Sequence, residues 1–199
     1  MKEISPTELI ELMKNRFETY ADKLEDRWEK EYQLEIADSL LNIYKKVFME
    51  YPYPKSKDEC DIVVTNDSDC YNTKIWIEIK PVWSDSNYWS PSKFFEEAPF
   101  KKDIEKLWQI SKKGKKAWFF LIIFNTERTI DISTDNPKKR KSISISQLIK
   151  GISYWAFSKK FEHRVINMGD KYCHLILYDV KGYNNKDITI KDNEYVLDI

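Results

Sequence analysis

Three ionisable residues stand on two consecutive predicted strands of this chain: Asp61 on the first, and Glu78 with Lys80 on the second. Side chains of a β-strand alternate between its two faces, so Glu78 and Lys80 share one face of their strand. Two carboxylates and an ammonium group on one face of a sheet are the groups that metal-assisted phosphodiester cleavage needs. These three residues are therefore the first candidates for catalysis.

The segment between the two strands, residues 66–72, has the composition of a turn. A hairpin folded symmetrically about positions 69 and 70 places Asp61 opposite Glu78, with Cβ atoms roughly 5 Å apart. Carboxylates at that distance repel each other, and a divalent cation between them keeps both charged. Oxygen ligands favour Mg²⁺ or Mn²⁺ over zinc. In a chain this rich in charge, a charged strand face alone is ordinary and does not indicate a site. The prediction of a site therefore depends on the combination of all three residues.

The composition predicts one folded domain: 199 residues with 42% hydrophobic content can bury one core. There is no apolar run of about eighteen residues and no leader-like start, so we expect a cytoplasmic protein that does not enter a membrane. Three cysteines without a Cys-x-x-Cys spacing, and only two histidines, do not predict a structural zinc site.

The formal net charge is zero, but charge is distributed unevenly along the chain. Residues 1–60 hold 14 acidic and 10 basic side chains, whereas residues 101–164 hold 6 acidic and 16 basic ones. A local basic surface is what engages phosphates, and it would make binding dependent on salt. A general preference for lysine in this sequence is the alternative explanation.

Helical periodicity in the first 50 residues predicts two helices or one long bent helix, starting at the cap residue Ser5. A short edge strand is expected over residues 48–53. An amphipathic helix follows over residues 100–110, with Gly114 as its C-terminal cap. Residues 117–124 are apolar on both faces and predict a central buried strand.

Beyond that strand, the sequence predicts a helix over residues 145–157, a strand over 172–180 and one or two weak strands after residue 181. The order of elements predicts an α/β sandwich with a mixed sheet flanked by helices. We expect a single domain over residues 1–199. It comprises an N-terminal helical extension over residues 1–30 and a core over residues 31–180.

Over residues 31–124 the chain resembles the PD-(D/E)XK nuclease superfamily, which has the restriction-endonuclease-like fold. The resemblance lies in Asp61-Ile62-Val63-Val64 and Ile77-Glu78-Ile79-Lys80, followed by the helix with Asp103-Ile104-Glu105-Lys106-Leu107. It implies a core with αβββαβ order. One departure is that Cys60 stands where the superfamily's name-giving proline would be.

The resemblance implies roles for the site residues. Asp61 and Glu78 would bind the metal, with the backbone carbonyl of Ile79 as a further ligand. Lys80 would orient or help deprotonate the attacking water and stabilise charge on the phosphate oxygens. A glutamate on the first core helix would complete the catalytic set, and Glu35 is the first candidate. Its alternatives are Glu31 and Glu50.

Contacts to nucleic acid are expected nearby. Tyr88 and Trp89 could stack on bases, or else pack their loop against the protein. Lys101 and Lys102, at the start of the second core helix, are candidates for phosphate contacts.

The sequence thus predicts a Mg²⁺- or Mn²⁺-dependent deoxyribonuclease, a hydrolase of restriction, defence, repair or recombination type, with homodimerisation as a family-level expectation. One alternative is a catalytically inactive DNA-binding or complex-assembly subunit of the same fold. A second alternative, of another class, is a helical interaction module in which the first 50 residues mediate association and the charged trio is incidental.

Overall fold

The computed structural model of this chain describes residues 3–65, 75–83, 99–125, 161–181, 188–191 and 194–197. The predicted turn around positions 69 and 70, the residues Tyr88 and Trp89, and the helix predicted over 145–157 lie outside these ranges.

The described residues form helices at the start of the chain, then three strands, one more helix and further strands. The helices are α1 (Pro6–Glu18), a short 3₁₀ helix (Ala21–Lys23), α2 (Glu29–Leu41) and α3 (Pro99–Ser111). The strands are β1 (Lys46–Pro52), β2 (Glu59–Thr65), β3 (Ile75–Trp83), β4 (Lys116–Asn125), β5 (Phe161–Asn167), β6 (Tyr172–Asp179), β7 (Ile188–Lys191) and β8 (Glu194–Leu197).

The ends of two helices follow directly from local chemistry. At the start of α1, the Ser5 hydroxyl accepts the N–H of Glu8 at 3.2 Å, and the Glu8 carboxylate accepts the N–H of Ser5 at 2.8 Å. This reciprocal pair is a capping box. After α3, Gly114 takes a φ of +74°, a conformation that favours glycine, and its N–H donates to the backbone carbonyl of Ser111 at 2.9 Å. Both predicted helix signals are confirmed.

Six strands form one mixed sheet in the order β1-β2-β3-β4-β6-β5. Strands β3 and β4 are parallel and are connected through α3, whereas all other neighbours in this sheet are antiparallel. Residues 117–124 of β4 are at most 1% exposed, which confirms the predicted central strand. The edge strand β5 was not predicted, because its partly exposed, mixed sequence lacks the apolar alternation of a half-buried strand.

Helices cover both faces of the six-stranded sheet, which gives three layers. On one face, α3 packs Phe100 and Ile104 against β4 residues such as Phe119. On the other face, α1 and α2 pack residues such as Phe17 and Ile36 against the opposite side of the same strands. The prediction of an α/β protein with a mixed sheet is thereby confirmed. Among the described residues, no helix is both long enough and apolar enough to cross a membrane.

Candidate functional site

The pairing of β2 with β3 has the register that the sequence predicted. Ile62 pairs with Ile77, and Val63 pairs with Trp76. Continued by one residue, this register aligns Asp61 with Glu78. Backbone pairing stops before that point, so the two carboxylates lie where the strands separate. Asp61 and Glu78 are referred to below as the carboxylate pair.

Asp61 is held by two N–H donors from different elements. Its Oδ2 atom accepts the backbone N–H of Ile79 on β3 at 2.6 Å, and its Oδ1 atom accepts Nε2 of Gln33 on α2 at 2.8 Å. Burial raises the pKa of Asp61 to about 6; the N–H of Ile79 opposes this shift and the carboxylate of Glu29 adds to it. The carboxyl group is therefore fixed in position but is costly to keep charged.

Glu78 is the more deeply buried member of the pair, with only 3% of its surface exposed. Its Oε1 atom accepts the hydroxyl of Tyr53 at 2.7 Å and lies 3.3 Å from Nζ of Lys106 on α3. Burial, followed by repulsion from Asp61 and Asp103, raises the pKa of Glu78 to about 9, although Lys106 and Tyr53 act in the opposite direction. Without a bound cation, the Glu78 carboxyl therefore holds a proton at neutral pH, and a bound cation would favour its ionised form.

Lys80 connects the two helical layers. Its Nζ atom lies 3.0 and 3.2 Å from the two carboxylate oxygens of Glu29 on α2, and 3.9 Å from Asp103 on α3. Burial favours the neutral amine, but the carboxylates of Glu29 and Asp103 outweigh it and raise the pKa of Lys80. Lys80 is thus a cation at neutral pH. Its predicted role as a proton acceptor loses support, whereas a role in stabilising phosphate charge does not.

Asp103 bridges the two lysines of the site, because its other oxygen lies 2.8 Å from Nζ of Lys106. The four carboxylates of this network belong to Glu29, Asp61, Glu78 and Asp103, and its two ammonium groups belong to Lys80 and Lys106. With every group ionised, the network carries an excess of two negative charges. That excess equals the charge of one divalent cation.

A surface groove of about 610 Å³ opens beside this network, and Lys80 and Asp103 contribute to its lining. One wall is the segment after β1, and the other wall is α3. The first wall includes Tyr53, Ser56 and Asp58, and the second wall includes Lys102, Lys106 and Lys113. Lys80 is therefore within reach of a molecule that occupies the groove.

Glu35, the residue first chosen to complete the catalytic set, is not brought to the carboxylate pair. Its oxygens lie 2.6 Å from Arg16 and 3.3 Å from Arg27. Burial acts against ionisation, but hydrogen bonds from the two arginines lower the pKa of Glu35. The alternatives are also engaged elsewhere, because Glu31 accepts the N–H of Trp28 at 2.7 Å and Glu50 pairs with Lys30.

The helix α2 reaches the site through Glu29 and Gln33 instead. These residues lie four positions apart, so they stand on one face of the helix, and they contact Lys80 and Asp61 respectively. The sequence reasoning considered only glutamates on this helix and therefore missed Gln33. The spacing of Glu29 and Gln33 was a signal that could have found both.

Sequence reasoning also missed the roles of Tyr53, Asp103 and Lys106 in this network. In the sequence, Asp103 and Lys106 are distinguished only as part of a helix that resembles the superfamily's second core helix. Of the predicted phosphate contacts, Lys102 lines the groove, whereas Lys101 forms an ion pair of 3.8 Å with Glu105.

Within the described ranges, no three side chains of His, Cys, Asp or Glu are grouped so as to hold a metal ion. The site offers a pair of carboxylates, not a triad. Comparison with family models, with curated proteins and with solved structures finds no match for this chain.

Replacing Lys106 by methionine tests whether its ammonium group neutralises the network. We expect the Lys106→Met protein to lose about 3 kcal/mol of unfolding free energy at neutral pH, because Asp103 loses its ion-pair partner at 2.8 Å and Glu78 loses a neighbouring ammonium group. Urea denaturation in EDTA measures this change. The control is Lys14→Met, which removes a surface helix pair of 3.1 Å with Glu18 and should cost about 0.5 kcal/mol or less. Equal losses in the two variants would contradict the prediction.

Proposed function

We propose that this chain is a metal-dependent nuclease that hydrolyses phosphodiester bonds of DNA on a restriction-endonuclease-like core. The observation that carries the proposal is the carboxylate pair, with Glu78 buried and Asp61 half-buried, next to Lys80, which lines an open groove. The order α2-β1-β2-β3-α3-β4 is the αβββαβ order that the resemblance implied, and it adds support.

The residues of the site fit a hard divalent cation. With every group ionised, the network has an excess of two negative charges, which one divalent cation would balance. In addition, the Oε1 atom of Gln33, in the amide that contacts Asp61, is buried and has no hydrogen-bond partner among the described residues. Mg²⁺ is commonly held by one or two carboxylates, with water and substrate phosphate filling its other positions. Asp61, Glu78 and the carbonyl of Ile79 would hold the ion. When bound, it supplies Lewis acidity and lowers the pKa of water.

The protein's own side chains and backbone orient the carboxylate pair and place a positive charge beside it. The N–H of Ile79 and the amide of Gln33 fix the orientation of Asp61, and Tyr53 fixes that of Glu78. Lys80, held as a cation by Glu29, is placed to stabilise negative charge on phosphate oxygens during attack by water. Such preorganised charges act more strongly where burial lowers the local dielectric constant, as it does around Glu78.

Metal dependence is the first test of the proposal. We expect the purified protein to cleave DNA in Mg²⁺ or Mn²⁺ and to lose all cleavage in EDTA, because Asp61 and Glu78 cannot activate water without a cation. Plasmid, linear and single-stranded DNA, together with RNA, are incubated in parallel and analysed on gels. Cleavage that continues in EDTA would reject the mechanism.

One observation favours a second candidate, the non-catalytic DNA-binding subunit of the same fold. Both oxygens of Asp61 accept N–H donors, and Lys106 contacts Glu78, so the pair is already satisfied in part by the protein. The same assay separates the two candidates. DNA binding without cleavage in either metal would support the second candidate.

A further inference from the structure

The donors that line one wall of the groove form a regular stripe on α3 and the turn that follows it. Lys102, Lys106, Gln109 and Lys113 are spaced by four, three and four residues, so they follow one another along a single helix face. At a rise of 1.5 Å per residue, the stripe is about 16 Å long. The lysine stripe is the name used below for Lys102, Lys106 and Lys113. Lys80, beside the carboxylate pair, lines the same groove.

The acidic side chains neutralise the stripe at Lys106, which lies 2.8 Å from Asp103 and 3.3 Å from the buried Glu78. Glu105 also lines the groove and lies 3.8 Å from Lys101, which does not line it. Asp58 accepts the hydroxyl of Ser56 at 3.0 Å on the opposite wall. Lys102 and Lys113 form no ion pair within the described ranges. The wall formed by α3 therefore presents Lys102 and Lys113 as cationic donors to whatever occupies the groove, and their charge complements a polyanion.

The size of the groove limits which polyanion can enter. Its volume of about 610 Å³ lies within the range of about 300–1,000 Å³ that encloses a drug-sized ligand. A short stretch of one strand is of that size. Only one strand of a duplex could lie in a groove of this volume, so an unpaired segment is the form of DNA that fits it best.

We infer that this groove holds the sugar–phosphate backbone of a single DNA strand and delivers an unpaired segment to the carboxylate pair. The inference rests on the proposed function, which it narrows to single strands, strand ends or opened duplex. Contacts from lysine side chains to phosphates position a strand without reading its bases. Binding should therefore be strongly dependent on salt and tolerant of sequence.

The test measures binding in EDTA, where no cleavage occurs. Full-length protein is titrated against a fluorescein-labelled single-stranded oligonucleotide and against its blunt duplex, and anisotropy is followed over a series of salt concentrations. We expect the single strand to bind at least about tenfold more tightly than the duplex, a difference of about 1.4 kcal/mol.

A double variant of the stripe, Lys102→Ala with Lys113→Ala, tests where the strand lies. Its plot of log K against log salt should be shallower by about 1.4, since each phosphate contact to a single strand contributes about 0.7. The matched control, Lys14→Ala with Lys23→Ala, removes the same charge from α1 and the adjacent 3₁₀ helix, and it should keep the wild-type slope.

The outcomes separate this inference from the proposed function. Equal or tighter binding of the duplex, or an unchanged slope in the stripe variant, would overturn the groove assignment even if the protein cleaves DNA. Tight single-strand binding that depends on the stripe, without cleavage in Mg²⁺ or Mn²⁺, would support the groove assignment and reject the nuclease.

Discussion

Replacing Glu78 by glutamine should abolish cleavage while making the metal-free protein more stable. We expect the cleavage rate of Glu78→Gln in Mg²⁺ to fall about 10³-fold or more, because an uncharged amide binds a hard cation more weakly than a carboxylate and the carboxylate pair is lost. The glutamine can still accept the hydroxyl of Tyr53, so the local structure should be preserved. If the buried charge of Glu78 is needed for function, its removal should lower the cleavage rate and raise the unfolding free energy.

The gain in stability follows from proton linkage. The pKa of Glu78 rises from 4.5 in the unfolded chain to about 9 in the folded protein, so the folded state binds a proton that the unfolded state releases. The unfolding free energy of the wild type should therefore fall as pH rises from 4.5 towards 9. At neutral pH this cost is about 3 kcal/mol, and Glu78→Gln should recover most of it.

Urea denaturation in EDTA across that pH range measures the difference between wild type and variant. The matched control is Glu59→Gln, an exposed carboxylate on β2, which should change neither cleavage nor the pH dependence. Addition of Mg²⁺ or Mn²⁺ should stabilise the wild type more than Glu78→Gln, because the ion binds the folded state. A variant that is less stable than the wild type throughout would show that Glu78 is a structural ion-pair partner of Lys106.

The parts of the fold that the sequence predicted are those set by local pattern. The capping box at Ser5, the cap at Gly114 and the apolar run of β4 each act over a few residues, and each determined a boundary or a burial state. The register of Asp61 with Glu78 was predictable for the same reason, because a hairpin of fixed length has one symmetric pairing. The edge strand β5 had no such local signal.

The site was only partly predictable, because its other members come from distant segments. Gln33 reaches Asp61 across 28 residues of chain, and Glu29 reaches Lys80 across 51. Which face of α2 points at the sheet end depends on how helix and sheet pack, which residue type alone does not reveal. Glu35 has the expected chemistry, but it stands on a face of α2 where two arginines hold it.

The same long-range contacts determine how Lys80 acts. Replacing Lys80 by alanine should lower the cleavage rate about 10²- to 10³-fold, the range found when one charge-stabilising donor is removed from an active site. Strand binding should fall much less, since the lysine stripe remains intact. Rates and anisotropy measured on the same preparation give both quantities, and Lys23→Ala, an exposed lysine outside the groove, is the control.

The form of the pH profile decides between the two roles first considered for Lys80. Glu29 and Asp103 outweigh the effect of burial and raise the pKa of Lys80, so it stays protonated at neutral pH and can donate but not accept a proton. Lys80→Arg, which keeps the charge, should therefore retain more cleavage than Lys80→Ala, and both should keep the wild-type pH profile. A rate that rises tenfold per pH unit near neutrality in the wild type, and becomes flat in Lys80→Ala, would make Lys80 the base and overturn this assignment.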